Sequence, residues 1–414
     1  MKIQSKFTNM SRFITILLIF HFLLTIECDA ASVASHSIRH TSQHGAGLDK
    51  AHTADSAAIE TPSESMIIRK RRDLEGFGIQ YWGENYNAKF LGATPHRALI
   101  IEASVRGADL GPQFREELFS AEDLSVIRCS GKRAVFAYLN LSELVAYRNY
   151  WVDAFGATGL PVEELASTGQ ASPAWYGGIN KEGEHLAAFW TPEWLEILER
   201  QIDAFLERGF DGVFMDDVLH YYTWVHDMNL KPHEDSGSKE MPRSLPEFAS
   251  AMMTLVLQIT KYARHDAPLA RSDFAVIVNG GVFIGWDAAS ESGAPEAPAP
   301  LFGEYVEALD AIAMESVLGV PTDWTTVEAL QQSYAAGGVP VLSIDFHSRH
   351  PLVPLDEFRA QIAQLASTLG FISYVAENEA FDRLYPPILP ETHLPATAQE
   401  SCTRAGSAGG GFVP

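Results

Sequence analysis

Two segments of the sequence place a carboxylate directly after a run of apolar residues. Gly209–Asp217 ends in Asp216 and Asp217, and Ala311–Glu315 ends in Glu315. Side chains alternate along a β-strand, so we expect Asp216 to face a pocket and Asp217 to point away. Two carboxyl groups can supply an acid that protonates a leaving oxygen and a carboxylate that acts as nucleophile or as base for water. The pattern therefore indicates hydrolysis of a glycosidic bond.

The rest of the chain predicts how these residues are held. Amphipathic helical patterns, such as Trp194–Arg208, Pro246–Ala263 and Leu355–Leu369, alternate with short apolar runs. The candidate strands are Phe77–Trp82, Ala98–Ala103, Ala134–Leu141, Gly212–Asp217, Phe274–Asn279, Asp310–Glu315, Val339–Phe346 and Phe371–Val375. An open doubly wound sheet alternates in the same way, but no glycine-rich phosphate loop follows the first strand. We therefore predict an α/β chain forming a single (β/α)8 TIM barrel over residues 76–384.

In such a barrel, the carboxyl ends of the strands form the active site. The strands that end in Asp216 and Glu315 are separated by one strand, or roughly 10 Å of backbone. Inward side chains can reduce this gap to the carboxyl separations of about 5–9.5 Å that glycosidases use. Two other readings remain for these residues: a salt-bridged structural Glu315, and a metal site at Asp216, Asp217 and His220. No second histidine-rich segment supports a metal, so we predict none, and we predict no cofactor.

Aromatic residues are frequent near the predicted strand ends, where their rings suit the apolar faces of sugars. Trp194, inside a helix, is expected in the core instead. Asn140-Leu141-Ser142 is a glycosylation sequon that we expect to be buried and unmodified, because it lies at a strand end. The predicted substrate-binding residues are Tyr81, Trp82, Tyr138, Glu143, Trp175, Trp190, Tyr221, Asn279 and Asp345.

The two ends of the chain have a different composition from the predicted barrel. Residues 1–30 combine a basic start with an apolar run and small residues, which is typical of a signal peptide. Residues 31–75 have no apolar period and predict a disordered linker or pro-region. Residues 385–414 predict a flexible tail. We therefore expect a secreted or periplasmic protein without stable membrane insertion after signal cleavage.

The formal net charge of −23 opposes binding to nucleic acid and to anionic lipid, and it favours a cationic substrate. An alternative interpretation is that this charge only keeps the protein soluble. Three cysteines occur, and no Cys-x-x-Cys pair is among them. Cys129 is either a free buried thiol or paired with Cys402.

Residues 77–384 resemble the endo-α-1,4-polygalactosaminidases, glycoside hydrolase family 114. The matching segments are FAYLNLSELVAYRNYW, PAWYG, FWTPEWLEILERQIDAFLERGFDGVFMDDV, the Glu315 strand, VPVLSIDF and GFISYVAENEAFDRL. The family's Ser-x-Gly-Glu turn is here Asn140-Leu141-Ser142-Glu143, and Glu102 stands where the family often has aspartate.

The resemblance implies an extracellular, endo-acting barrel with Asp216 and Glu315 as its catalytic pair. It also implies a polysaccharide substrate built of α-1,4-linked galactosamine or N-acetylgalactosamine, expected to be a cationic galactosaminan. Additional carboxylates that could bind its amines are Glu84, Glu102, Glu143 and Asp345. Two alternatives are a catalytically inactive carbohydrate-binding barrel and a glycosidase acting on a different polysaccharide.

Overall fold

The computed structural model describes residues 73–83, 85–106, 116–155, 172–227, 241–290, 296–319 and 321–389. Eight of its strands are β1 (Phe77–Gln80), β2 (Ala98–Ile101), β3 (Ala134–Asn140), β6 (Gly212–Asp216), β7 (Ala275–Asn279), β8 (Ala311–Glu315), β9 (Val341–Phe346) and β10 (Ile372–Ala376). They form one parallel sheet in the order β1-β2-β3-β6-β7-β8-β9-β10. With helices between the strands, this is the predicted (β/α)8 barrel, and each predicted strand is present with its ends shifted by at most two residues.

The α-helices are α1 (Ala88–Ala93), α2 (Ala121–Ile127), α3 (Asn149–Phe155), α4 (Pro192–Arg208), α5 (His220–His226), α6 (Leu245–Lys261), α7 (Ile284–Asp287), α8 (Leu301–Ala308), α9 (Trp324–Ser333) and α10 (Leu355–Leu369). Helix α4 begins with proline at its first position and ends at Gly209, whose φ of 89° suits a residue without Cβ. No helix in the described part of the chain is both long and apolar enough to cross a membrane.

Two apolar layers hold the barrel together. Side chains such as Phe214, Ile277 and Ala313 fill the interior of the sheet. Their sequence neighbours, such as Met215 and Val278, point outwards and pack under the helices. Trp194 lies in this outer layer and is fully buried, as predicted, where its indole nitrogen donates to the carbonyl of Leu141 at 2.7 Å.

A hairpin that the sequence patterns do not predict lies in the connection from β3 to β6. Its strands are β4 (Tyr176–Ile179) and β5 (His185–Ala187). The hairpin joins the residues that follow β3, because Leu144 N–H donates to the carbonyl of His185 and Ala187 N–H donates to that of Ser142, both at 2.7 Å. The hairpin therefore covers one side of the barrel mouth.

The chain packs onto the barrel beyond both ends of the predicted domain. Leu74 is 4% exposed, and Tyr385 is 7% exposed. The side chain of Leu389 lies against Gly76, and the carbonyl of Tyr385 contacts His96 Nε2 at 2.8 Å. Residues 385–389 are therefore part of the packed barrel rather than of a free tail.

The signal peptide, most of the linker and the remaining tail lie outside the described residues. Cys129 is disulfide-bonded, which excludes the free thiol. Cys402, the partner in the other alternative, also lies outside the described residues.

Candidate active site

Asp216 occupies the last position of β6, on the inner face of the sheet. Phe214 fills the barrel interior, whereas Val213 and Met215 face the helices, so alternation turns Asp216 inwards. The strand begins at Gly212, where a Cβ would lie 2.3 Å from the carbonyl oxygen of Ala275. The glycine therefore permits the close approach of β6 and β7 below the site.

Glu315 has the same relationship to β8. Ala311 and Ala313 line the interior with small side chains, and Glu315 is the next residue of that face. Both Asp216 and Glu315 are mostly buried but partly open to solvent at the carboxyl end of the barrel. The predicted catalytic pair thus lies where barrel enzymes carry out their chemistry.

One side chain from the intervening strand joins the two carboxyl groups. Asn279, at the end of β7, donates from Nδ2 to Asp216 Oδ1 at 2.8 Å and to Glu315 Oε1 at 3.1 Å. Because Asp216 Oδ1 and Glu315 Oε1 are hydrogen-bonded to the same nitrogen, these two oxygens are less than about 6 Å apart. Two ionised carboxylates at this separation repel each other, which favours a proton on one of them.

The two groups differ in how strongly they hold a proton. Burial, together with the charge of Asp217, raises the pKa of Asp216 to about 6, opposed by the hydrogen bond from Asn279. Burial, together with the charge of Asp216, raises the pKa of Glu315 to about 8. Near neutral pH the site therefore contains an ionised Asp216 and a protonated Glu315.

Each of these strands ends in a left-handed turn directly after its polar residue. The φ angle is 58° at Asp217, 79° at Gly280 and 58° at Ser316. Such angles are uncommon for residues other than glycine, and they cluster at functional sites. The three turns end the strands abruptly, so the side chains before them stand at the mouth.

Asp217 does not simply point away, because strand alternation does not extend through a left-handed turn. Its N–H donates to Asp216 Oδ1 at 2.9 Å, and its carboxylate accepts a hydrogen bond from Asn140 Nδ2. Glu143 is hydrogen-bonded to the Asp217 carboxyl group. The structure thus brings Asp217 and Glu143 beside Asp216, and it buries Asn140 of the sequon to 6% exposure.

Two of the predicted aromatic residues also lie at the mouth. The rings of Tyr81 and Tyr138 are 4.5 Å apart, the hydroxyl of Tyr138 accepts from Asn140 Nδ2 at 3.2 Å, and it lowers the pKa of Asp216. Trp82, which follows β1, donates from its indole nitrogen to the carbonyl of Ala380 at 2.7 Å. Tyr81 and Tyr138 therefore form one wall beside Asp216, and Trp82 ties that wall to the loop after β10.

Three predicted substrate-binding residues, Asp345, Tyr221 and Trp175, are buried, which corrects their sequence-based assignment. Asp345 is fully buried and on the outer face of β9, where Oδ1 accepts from Leu318 N–H at 3.0 Å.

The aromatic residues lie in packed surroundings. Tyr221, on the buried face of α5, donates to Asp287 at 2.6 Å. Trp175 packs against Trp194 in the outer apolar layer. Trp190 packs against Trp224 but is only half-buried, and it lines a surface cavity with Arg243 and Pro246. Aromatic composition alone did not distinguish such packing from a sugar-binding surface.

Glu102 is also unavailable to a substrate amine. It is 1% exposed and bonded to Arg148 through two contacts of 2.7 and 2.9 Å, and Tyr147 donates to it at 2.9 Å. Glu84 lies outside the described residues.

Arg349 is a residue at the site that the sequence patterns did not indicate. It lies in the turn after β9, where it pairs with Glu379 at 2.9 Å and stacks over Phe346 at 5.4 Å. Its charge lowers the pKa of Glu315 and so opposes the effect of burial. Because it occurs outside any strand or helix pattern, nothing in its sequence context marked it.

Comparisons by sequence find relatives of uncharacterized function, and no protein-family model matches the chain. The chain is 27% identical to a protein of Methanocaldococcus jannaschii over 37% of its own length and 38% of that protein. It is 25% identical to a protein of Deinococcus radiodurans over 61% of its own length and 66% of that protein. The chain thus spans less than two thirds of the length of these relatives.

Comparisons of structure find solved proteins of low sequence identity. The glycoside hydrolase domain of PelA from Pseudomonas aeruginosa is 16% identical, with a TM-score of 0.43 over 74% of this chain and 96% of that domain. Aspergillus fumigatus Ega3, in complex with galactosamine, is 12% identical, with a TM-score of 0.47 over 80% of this chain and 98% of that one. The PgaB glycoside hydrolase domain from Bordetella bronchiseptica is 14% identical, with a TM-score of 0.39 over 70% and 86%. These identities and scores are too low to transfer a residue's role.

Proposed function

We propose that this protein is a glycoside hydrolase in which Asp216 and Glu315 are the reacting groups. The observation that carries the proposal is their shared donor, Asn279, which sets two carboxyl groups of different proton affinity across one opening at the barrel mouth. A pair of titratable groups with separated pKa values is the arrangement that acid–base chemistry near neutral pH requires.

In this proposal Glu315 is the general acid and Asp216 is the nucleophile. Asp216 Oδ1 and Glu315 Oε1 are less than about 6 Å apart. This distance is closer to the ~5–5.5 Å between the carboxyl groups of retaining enzymes than to the ~6.5–9.5 Å of inverting ones. Asp216 Oδ2 forms a bond to the anomeric carbon while Glu315 protonates the departing glycosidic oxygen. Glu315, now ionised, then takes a proton from water, and the water oxygen displaces Asp216 from the anomeric carbon. The sugar leaves with its original anomeric configuration.

We further propose that the enzyme is secreted and cleaves internal bonds of an α-1,4-linked galactosamine or N-acetylgalactosamine polymer. The resemblance of residues 77–384 to the endo-α-1,4-polygalactosaminidases supports this substrate. The net charge of −23 favours a polymer with free amines. Each exposed ion pair adds only about 0.2–1 kcal/mol, so binding requires several of them along the polymer.

The test is to incubate the protein with partly deacetylated galactosaminan and with other polysaccharides, and to measure new reducing ends. Release from galactosaminan alone supports the substrate, and release from another polymer supports a different glycosidase. Binding without release on any polymer contradicts the enzyme and supports a carbohydrate-binding barrel. High salt and full N-acetylation should each weaken binding if the polymer's amines are recognised, because surface ion pairs are screened over about 8–10 Å.

A further inference from the structure

A second pair of carboxyl groups lies directly behind Asp216, and the mechanism above does not use it. The pair consists of Glu143, which follows β3, and Asp217, which follows β6. Asn140 fixes their positions: its Oδ1 accepts from Ser142 N–H at 3.0 Å and from Glu143 N–H at 2.6 Å. With Oδ1 occupied by two backbone donors, Nδ2 must face Asp217, to whose carboxylate it donates.

The hydrogen bond between Glu143 and Asp217 requires a proton. A carboxylate can only accept hydrogen bonds, so two bonded carboxyl groups hold at least one proton between them. Glu143 is the donor, because burial, followed by the charges of Asp217 and Glu184, raises its pKa well above the usual range. Asp217 is the acceptor: burial raises its pKa too, but the bonds from Asn140 and Glu143 stabilise its charge.

His220 lies beside Asp217 but does not supply a second proton to the pair. The single hydroxyl proton of Ser142 is donated to the carbonyl of Asp217 at 2.8 Å, so Nδ1 of His220 must donate to Ser142 Oγ at 2.9 Å. Nε2 then carries the lone pair of the neutral ring, 3.9 Å from Asp217 Oδ1. Burial lowers the pKa of His220, opposed by the charges of Glu184, Asp216 and Glu182.

We propose that Glu143 and Asp217 form a carboxyl–carboxylate pair that holds one proton and one negative charge beside Asp216, and that this pair is a positioning device for Asp216. The groups facing the pair are Asn140 and Tyr138 of β3, Glu184 of the hairpin, His220 of α5 and Asp216 itself. The charge on Asp217 disfavours ionisation of Asp216, while the Asp217 N–H holds one of its oxygens in place. Only the catalytic consequence rests on the proposed function.

The number of protons in the pair can be counted with two variants. If the pair holds one proton on Glu143, Asp217→Asn removes the negative charge and Glu143→Gln leaves it. With Asp side chains labelled with ¹³C at the carboxyl carbon, the NMR titration of Asp216 should shift down by about 1 pH unit in Asp217→Asn and should not shift down in Glu143→Gln. The Asp216 signal is assigned by its loss in Asp216→Asn.

Two other results overturn the pair. If both variants lower the pKa of Asp216, the wild-type pair carries two charges, and if neither does, it carries none. Asp203→Asn is the matched control, since Asp203 accepts from Tyr262 at 3.0 Å on the outer helices and should leave Asp216 unchanged. Thermal unfolding of each variant tests its folding. Should either variant not fold, the carboxyl carbon of Glu143 in the wild type decides: titration near the ordinary glutamate value excludes a retained proton.

Kinetics provide the separate readout for catalysis. In Asp217→Asn, the acidic limb of the pH profile of kcat/KM should shift to lower pH together with the NMR midpoint of Asp216. In Glu143→Gln, this limb should not shift to lower pH. A merely structural role would lower the rate of both variants without moving that limb. If the NMR pattern holds while no polysaccharide is cleaved, the proposed function fails and the one-proton pair remains.

Discussion

Asp216 and Glu315 accept hydrogen bonds from the same nitrogen atom, although 99 positions separate them in the chain. This contact exists because β6 and β8 flank β7 and because Asp216, Asn279 and Glu315 are each the last residue of their strands, on the inner face of the barrel. Burial raises the pKa of both groups, and the charge of Asp216 raises that of Glu315 further, so near neutral pH Glu315 is protonated and Asp216 is ionised.

The pH dependence of hydrolysis should be bell-shaped. Activity requires an ionised Asp216, with a pKa of about 6, and a protonated Glu315, with a pKa of about 8. We therefore expect kcat/KM to rise through about pH 6 and to fall through about pH 8, the two limbs belonging to the coupled pair. The measurement is kcat/KM from pH 4 to 10 at constant ionic strength. A plateau extending unchanged from pH 5 to pH 10 would contradict the assignment.

Asn279→Ala should move both limbs of this profile upwards. The amide of Asn279 donates to both carboxyl groups and so lowers the pKa of each, and its loss removes that stabilisation of the charged forms. Asn87→Ala is the control, because Asn87 caps α1 through the N–H of Phe90 and should leave the limbs unmoved. Limbs that stay in place or move down in Asn279→Ala would show that the shared donor has no electrostatic role.

Glu315→Gln should stabilise the fold, and the gain should increase with pH. The folded protein retains the Glu315 proton up to about pH 8, whereas the unfolded chain releases it near 4.5. Stability from this group is therefore complete below pH 4.5 and is lost as the pH rises through about 8. Glu315→Gln should melt at a higher temperature than the wild type, and the difference should be smallest at pH 5, larger at pH 7 and largest at pH 9. Glu207→Gln, at an exposed carboxylate, should show no such divergence.

A fragment of residues 73–389 should be more stable to urea than one of residues 76–384. The longer fragment retains Leu74, Tyr385 and the contact between Leu389 and Gly76. Full burial of one large apolar side chain contributes about 1.5–3 kcal/mol, so the difference should be several kcal/mol. Equal midpoints of unfolding would mean that these contacts add nothing to the core.

The barrel strands could be predicted from sequence because each is an apolar run bounded by glycine or polar residues. The inward phase of Asp216 and Glu315 followed from the same alternation, since both end regular strands. The β4–β5 hairpin was missed because it is short and contains two consecutive glycines, Gly177 and Gly178.

The environment of Asp217 could not be predicted, because its positive φ breaks the alternation and no pattern marks a left-handed aspartate. Tyr221 and Trp175 were placed in the cleft by residue type, but sequence does not reveal which face of a short helix or loop is covered. Arg349 and His220 acquire their roles from contacts across the barrel, which no local pattern records.

The most direct test of the central claim compares the wild type with Asp216→Asn and Glu315→Gln on galactosaminan. We expect the wild type to release reducing ends and each variant to lose activity by about 10²–10⁴-fold, because each substitution removes one reacting group. Asp217→Asn should lose less, and all three variants should melt cooperatively. Release by Asp216→Asn or Glu315→Gln at the wild-type rate would contradict the proposal that these two carboxyl groups carry out the reaction.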